Sequence, residues 1–111
     1  MLLAPAVRSA TQQAMSAGAG VLRSATSLAG TAQALQELAA DTDDQPRTEA
    51  WEATNLQQVA SAMAALAGRR EETRGSHWRE DYPAKDDARW RVRQVLSVDE
   101  DGYTVTQEKV A

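Results

Sequence analysis

The side chains able to do chemistry crowd into one stretch, Arg69 to Asp87, which reads RREETRGSHWREDYPAKDD. It holds the only histidine, His77, and one of the three tryptophans, Trp78. An imidazole titrates near neutral pH and could act as acid or base. A general base must lie beside a bound substrate, and no partner constellation for His77 exists in the sequence, so a structural hydrogen-bonding role is expected. Arg74 and Arg79 could grip a carboxylate with two parallel N–H bonds. The alternative is pairing with the interleaved acids Glu71, Glu72, Glu80 and Asp81. Trp78 and Trp90 read as aromatic anchors for a helical bundle or for an interface.

Two other patterns could carry chemistry and are set aside. Ala17-Gly18-Ala19-Gly20 hints at a dinucleotide fingerprint, but it lacks the third glycine and the preceding strand that a phosphate cradle needs. A turn is expected there. Asp41, Asp43 and Glu52 occupy positions one, three and twelve of a calcium-loop spacing, with Pro46 where the sharp bend requires glycine. Acidic residues ahead of a helix N-terminus, favoured by the helix dipole, are the simpler reading. No metal site is expected.

The elements that position the charged stretch follow from the apolar spacing. Helices are expected over about 6–16, 21–40 and 47–74. In the first, Val7, Ala10, Ala14 and Met15 turn inward, and Gly18 and Gly20 break it. In the second, Leu28, Ala32, Leu35, Leu38 and Ala39 step by three and four. In the third, Ala53, Leu56, Ala60, Met63 and Ala67 do so, flanked by Val59 and Leu66, with Trp51 and Asn55 on an adjoining face. Gly75 suits a left-handed helix C-cap. Tyr82-Pro83 favours extended backbone, residues 84–87 form a turn, and the alternation from Trp90 to Leu96 reads as a strand. A turn centred on Asp101-Gly102 leads to a second strand through Tyr103, Val105 and Gln107. The expected fold is mainly α: a three-helix antiparallel bundle, then an extended segment and a short C-terminal β-hairpin over 76–108.

Composition narrows the function. The 111 residues suit one domain. Much of the 42% hydrophobic content is alanine, and phenylalanine is absent, so a thin core and marginal stability are expected. The absence of cysteine excludes disulfides, thiol catalysis and cysteine–zinc sites. A net charge of −4 and acids set against nearly every arginine argue against a phosphate track, so no nucleic-acid partner is expected. No run approaches a membrane span and no signal-peptide core follows Leu2 and Leu3. A cytoplasmic location is expected.

The run Arg70-Glu71-Glu72-Thr73-Arg74-Gly75-Ser76-His77-Trp78-Arg79-Glu80-Asp81-Tyr82-Pro83 resembles the R-x-E-S-R-G-x-H-x-R-x-D-x-P signature of a known domain. That domain is the C-terminal one of the succinate dehydrogenase, fumarate reductase and L-aspartate oxidase flavoproteins. Asp86, Asp87 and Trp90 match its usual continuation. MSAGAGVLRSATSL, from Met15 to Leu28, is similar to its early helices, and Trp51 to Leu56, WEATNL, points within the group to the L-aspartate oxidases. The resemblance covers nearly the whole chain and departs mildly at Thr73, where serine is usual.

The resemblance implies a three-helix bundle that follows FAD-binding and capping domains. The whole oxidase converts L-aspartate to iminoaspartate with FAD, on the route to NAD. The family's substrate-binding and FAD-binding motifs lie in those preceding domains, so no catalytic or cofactor-binding role passes to any residue here. The chain alone is expected to bind no cofactor and to be inactive. The expected partners are the FAD-binding and capping domains of the parent flavoprotein. Arg74, His77, Trp78, Arg79 and Asp81 are the expected interdomain docking residues. The alternatives are a succinate dehydrogenase or fumarate reductase flavoprotein domain, or a free-standing helical interaction module.

Overall fold

The computed structural model describes residues 1–110. In chain order the elements are β1 (Leu2–Leu3), α1 (Val7–Gly18), β2 (Leu22–Arg23), α2 (Ala25–Leu38), β3 (Thr42–Asp43), α3 (Thr48–Arg69), β4 (Trp78–Arg79), α4 (Asp87–Trp90), β5 (Val92–Asp99) and β6 (Gly102–Lys109). α1, α2 and α3 pack against one another in pairs. Two short ladders stitch the connectors: β1 antiparallel to β3, and β2 parallel to β4. The fold is mainly α with a C-terminal antiparallel hairpin, as the spacing implies.

The helix limits differ from expectation for local reasons. α1 ends at Gly18, the first of the two glycines expected to break it and two residues past the expected 16. A Cβ on Gly18 would lie 1.9 Å from Thr31 Oγ1 and 2.8 Å from the Ser27 carbonyl oxygen. The glycine is there to let α1 and α2 approach. α2 starts at Ala25 rather than 21, because Ser24 and Ser27 form a reciprocal capping box at 3.1 and 2.9 Å. Val21 to Arg23 is thereby left to β2 and its approach. α3 ends at Arg69, five residues short of the expected 74. Gly75 is no helix cap. Its φ of 58° serves a tight turn whose flanks, Arg74 and His77, exchange both backbone hydrogen bonds at 2.9 Å.

The core is rotated relative to the expected stripe. α3 buries Ala50, Ala53, Gln57, Ala60 and Ala64, while Val59 and Met63 stay 57% and 53% exposed. Ala53 packs with Leu3 and Val7, and Ala60 and Ala64 pack with Leu35. Small side chains allow close helix approach, so the face richest in alanine wins over the one with larger residues. Gln57 is admitted because its Nε2 donates to the Leu35 carbonyl at 2.9 Å. Thr11 and Thr31 are buried without having been expected, and Ala32 and Ala39 are exposed.

Trp90 does not begin a strand. It is the buried last residue of α4, which Asp86 caps by accepting the Arg89 N–H at 3.1 Å. The hairpin loop is Glu100–Asp101, one residue ahead of the expected centre, and Gly102 pairs with Asp99 at φ 123°. β5 meets the bundle where Gln94 Nε2 donates to the Leu66 carbonyl at 2.9 Å. No described helix is long and apolar enough to cross a membrane.

Candidate functional site

α3 ends where Arg79 takes its last carbonyls. The Arg79 side chain is 1% exposed. Its Nη1 donates to the carbonyls of Ala67, Gly68 and Arg70 at 3.2, 3.2 and 3.1 Å. These carbonyls lie at the negative end of a helix dipole, where a cation belongs. Its Nε and Nη2 donate to the two Asp81 oxygens, both at 2.9 Å. Asp81 Oδ2 in turn accepts the Ala25 N–H at 3.0 Å, at the positive end of α2. One ion pair therefore latches the C-terminus of α3 to the N-terminus of α2. The hydrogen bonds from Arg79 hold the Asp81 carboxyl well below its usual range, against a smaller opposing effect of burial.

A second latch centres on Glu72, whose side chain is wholly buried. Its Oε2 accepts from Arg70 Nη1 at 2.6 Å and from Arg74 Nε at 2.9 Å. Its Oε1 accepts from Arg74 Nη2 at 3.1 Å and from the Asp86 N–H at 2.9 Å. Burial pushes this carboxyl up, but the bonds from Arg74, the Asp86 N–H and Arg70 outweigh it and hold the pKa at about 2. Arg74 also reaches Asp87 at 2.6 Å. Arg70 donates to the Trp90 and Val92 carbonyls at 2.9 and 2.7 Å and lies over the Trp90 ring. Glu72 thus ties the end of α3 to α4 and the root of the hairpin.

His77 is spoken for as well. Arg23 Nη1 can only donate, so His77 Nδ1 accepts at 3.1 Å, and Nε2–H donates to the Arg70 carbonyl at 3.0 Å. Burial lowers its pKa, the hydrogen bond to the Arg70 carbonyl opposes that, and the charges of Arg23, Arg79 and Arg70 lower it further. The ring is neutral and fixed. The Thr73 hydroxyl accepts the Arg79 N–H at 3.0 Å and donates to the Tyr82 carbonyl at 2.9 Å, which explains why a hydroxyl suffices at that position.

Trp78 points the other way. In the β2–β4 ladder Leu22 is opposite Trp78 and Arg23 is opposite Arg79. The Arg23–Arg79 side faces the latches. The Leu22–Trp78 side faces solvent, with Leu22 52%, Trp78 50% and the adjoining Val21 75% exposed. The five residues expected to dock do meet at this end of the bundle. Arg79 is buried, Arg74 and Asp81 are partly covered, His77 is half-buried and Trp78 is outward. Sequence reasoning missed Leu22, Arg23 and the Ala25 N–H as members of the site. The Ser24–Ser27 capping box, which places a helix N-terminus there, is the signal that could have found the last.

The metal-like spacing ahead of α3 is otherwise engaged. Asp43 pairs with Arg47 and accepts the Gln45 N–H at 2.9 Å. Among the described residues no three His, Asp or Glu side chains gather closely enough to hold an ion.

Residues 8–111 match the family described as fumarate reductase flavoprotein C-term. The chain is 46% identical to an L-aspartate oxidase from Streptomyces coelicolor over 109 residues, covering 90% of this chain and 19% of that protein. It is 35% identical to a succinate dehydrogenase flavoprotein subunit from Coxiella burnetii over 100 residues, covering 80% of this chain and 17% of that subunit. Among solved structures, Mycobacterium smegmatis Sdh1 in complex with UQ1 superposes with a TM-score of 0.77 at 26% identity, over 96% of this chain and 20% of that one. The FrdA chain of an E. coli quinol fumarate reductase variant shares the fold, with a TM-score of 0.76 at 24% identity over 95% of this chain and 20% of its own. The chain therefore spans about a fifth of the length of these relatives. Family match, identity and fold agree: the chain belongs to the C-terminal domain family of the fumarate reductase and succinate dehydrogenase flavoproteins.

Proposed function

We propose that this chain is the C-terminal domain of an FAD-dependent L-aspartate oxidase, which oxidises L-aspartate to iminoaspartate for NAD synthesis in the cytoplasm. The observation that carries the reading is the 46% identity to the Streptomyces coelicolor oxidase over 90% of the chain, against 35% over 80% for the Coxiella burnetii subunit. In this proposal FAD and substrate sit on the preceding domains, and this domain supplies a docking end. Arg74, His77, Arg79 and Asp81 shape that end from within, because their polar atoms engage the chain's own groups. Trp78 and Leu22 present the apolar contact to the parent's flavin-bearing part, since large exposed apolar pairs favour burial.

The test grafts this chain in place of the native C-terminal domain of two parents, the Streptomyces coelicolor oxidase and the Coxiella burnetii subunit. FAD retention and turnover should return in the first, with L-aspartate as substrate, and not in the second. Recovery only in the succinate dehydrogenase parent would overturn the assignment. In the oxidase graft, Trp78→Ser with Leu22→Ser should lower FAD retention without unfolding the domain.

A further inference from the structure

The β5–β6 hairpin leaves a long strand unguarded. Among the described residues β6 pairs only with β5, in continuous register from Gly102 to Lys109. It has no proline, no bulge and no charge between Gly102 and Gln107. Natural edge strands are blunted by those devices, and one lacking them is a template for another strand. An unsupported two-stranded hairpin is also marginal, and beyond the Gln94 contact this one leaves Val98 77% and Tyr103 60% exposed, over a cleft shared with Ala32 of α2 and Ser61 of α3.

The hairpin has one apolar and one polar face. Leu96, Val98, Tyr103 and Val105 share the first. Arg93, Ser97, Thr104 and Glu108 share the second. A hairpin closed by a two-residue loop has a hydrogen-bonded pair next to the loop, here Asp99 with Gly102. Pair types alternate from there, so Tyr103, Val105 and Gln107 turn their N–H and C=O groups to the open edge.

We infer that two copies of this chain associate through β6 about a two-fold axis at Val105, giving a four-stranded antiparallel sheet. A closed two-fold interface must be self-complementary. With Val105 on the axis, Thr104 meets Thr106 of the second copy, Tyr103 meets Gln107, and Asp101 meets Lys109. Opposite charges thus face each other twice, and the apolar faces join on one side. Moving the axis to Thr104 would instead oppose Glu100 to Glu108. The strand's charge pattern thereby favours the register centred on Val105 over its neighbour at Thr104.

Sedimentation velocity of the full chain over a concentration series reads the association. A monomer–dimer equilibrium is expected. Lys109→Glu should weaken it on the order of tenfold, since it puts like charges opposite each other twice. The double variant Asp101→Lys, Lys109→Glu should restore it, and Val105→Lys, which places two lysines on the axis, should abolish it with the far-ultraviolet circular dichroism unchanged. A monomer at every concentration overturns the inference. So does a dimer indifferent to these charges that dissolves on Trp51→Glu, which would place the contact on the exposed outer face of α3.

Discussion

Along its length α3 is held by two different kinds of interaction. From Ala50 to Ala64 its inward face is mostly alanine, packed against Leu3, Val7 and Leu35. Beyond Arg69 the chain is held by buried ions, with Glu72 and Arg79 among the largest fully covered side chains. Each alanine removes little apolar area from water, so the middle of the bundle is a sum of small gains. The ionic end depends on pairing. A buried carboxylate with two arginines and a backbone N–H is stable, and the same carboxylate without them is not. The region that resembles a catalytic centre by composition is therefore the most structurally committed part of the chain. The region that resembles ordinary core leaves Trp51, Val59 and Met63 outside.

The comparison can be broken most forcefully at Glu72. Glu72→Ala takes the shared carboxylate from Arg70 and Arg74 and leaves the Asp86 N–H without its acceptor, and should cost about 3–5 kcal/mol in urea unfolding. A loss under about 1 kcal/mol would mean that the latch is a surface pair of ordinary weakness.

On the bundle side, Gly18→Ala should cost about 1–3 kcal/mol, because its Cβ would meet Thr31 Oγ1 and the Ser27 carbonyl. Gly30→Ala has open space in the same assay and should stabilise by about 0.4–1 kcal/mol. Equal effects at the two glycines would contradict the close approach of α1 and α2.

The ionic end should also make stability pH-dependent. Glu72 is held at about 2, below its usual 4.5, so its contribution is complete above 4.5 and is lost as pH falls towards 2. His77 is depressed below 6.5. The unfolded chain then binds its proton first, and stability declines as pH falls below 6.5 towards the folded value. Thermal melts across pH should show both declines. His77→Gln should flatten the upper one and leave the lower one in place.

Much of this was legible in the sequence, and the misses have physical causes. The apolar spacing located three helices, and the Asp-Gly turn located a hairpin. On α3 the expected stripe held Ala53 and Ala60, which are buried, but missed Ala50 and Ala64 and took in Met63, because alanine and larger apolar residues score alike while only alanine permits the close approach. The end of α3 was missed because Arg70 to Arg74 has good helical propensity, and local propensity is silent about Arg79 taking the carbonyls of Ala67 and Gly68. The signature itself is now readable. Its specified polar positions Arg70, Glu72, Thr73, Arg74, His77, Arg79 and Asp81 all enter the two latches or the His77 and Thr73 contacts that brace them, and Gly75 makes the tight turn between them. Of its five unspecified positions, Ser76, Trp78, Glu80 and Tyr82 are exposed and Glu71 is half-buried.

The most direct measurement sets Arg79→Met beside Trp78→Ser in urea unfolding of the same chain. If the charged stretch is a latch, Arg79→Met loses about 3–5 kcal/mol, because Asp81 loses its arginine and the carbonyls of Ala67, Gly68 and Arg70 lose a charged donor, while Trp78→Ser changes stability by less than about 0.5 kcal/mol. Near-native stability of Arg79→Met, with a large loss for Trp78→Ser, would contradict the account.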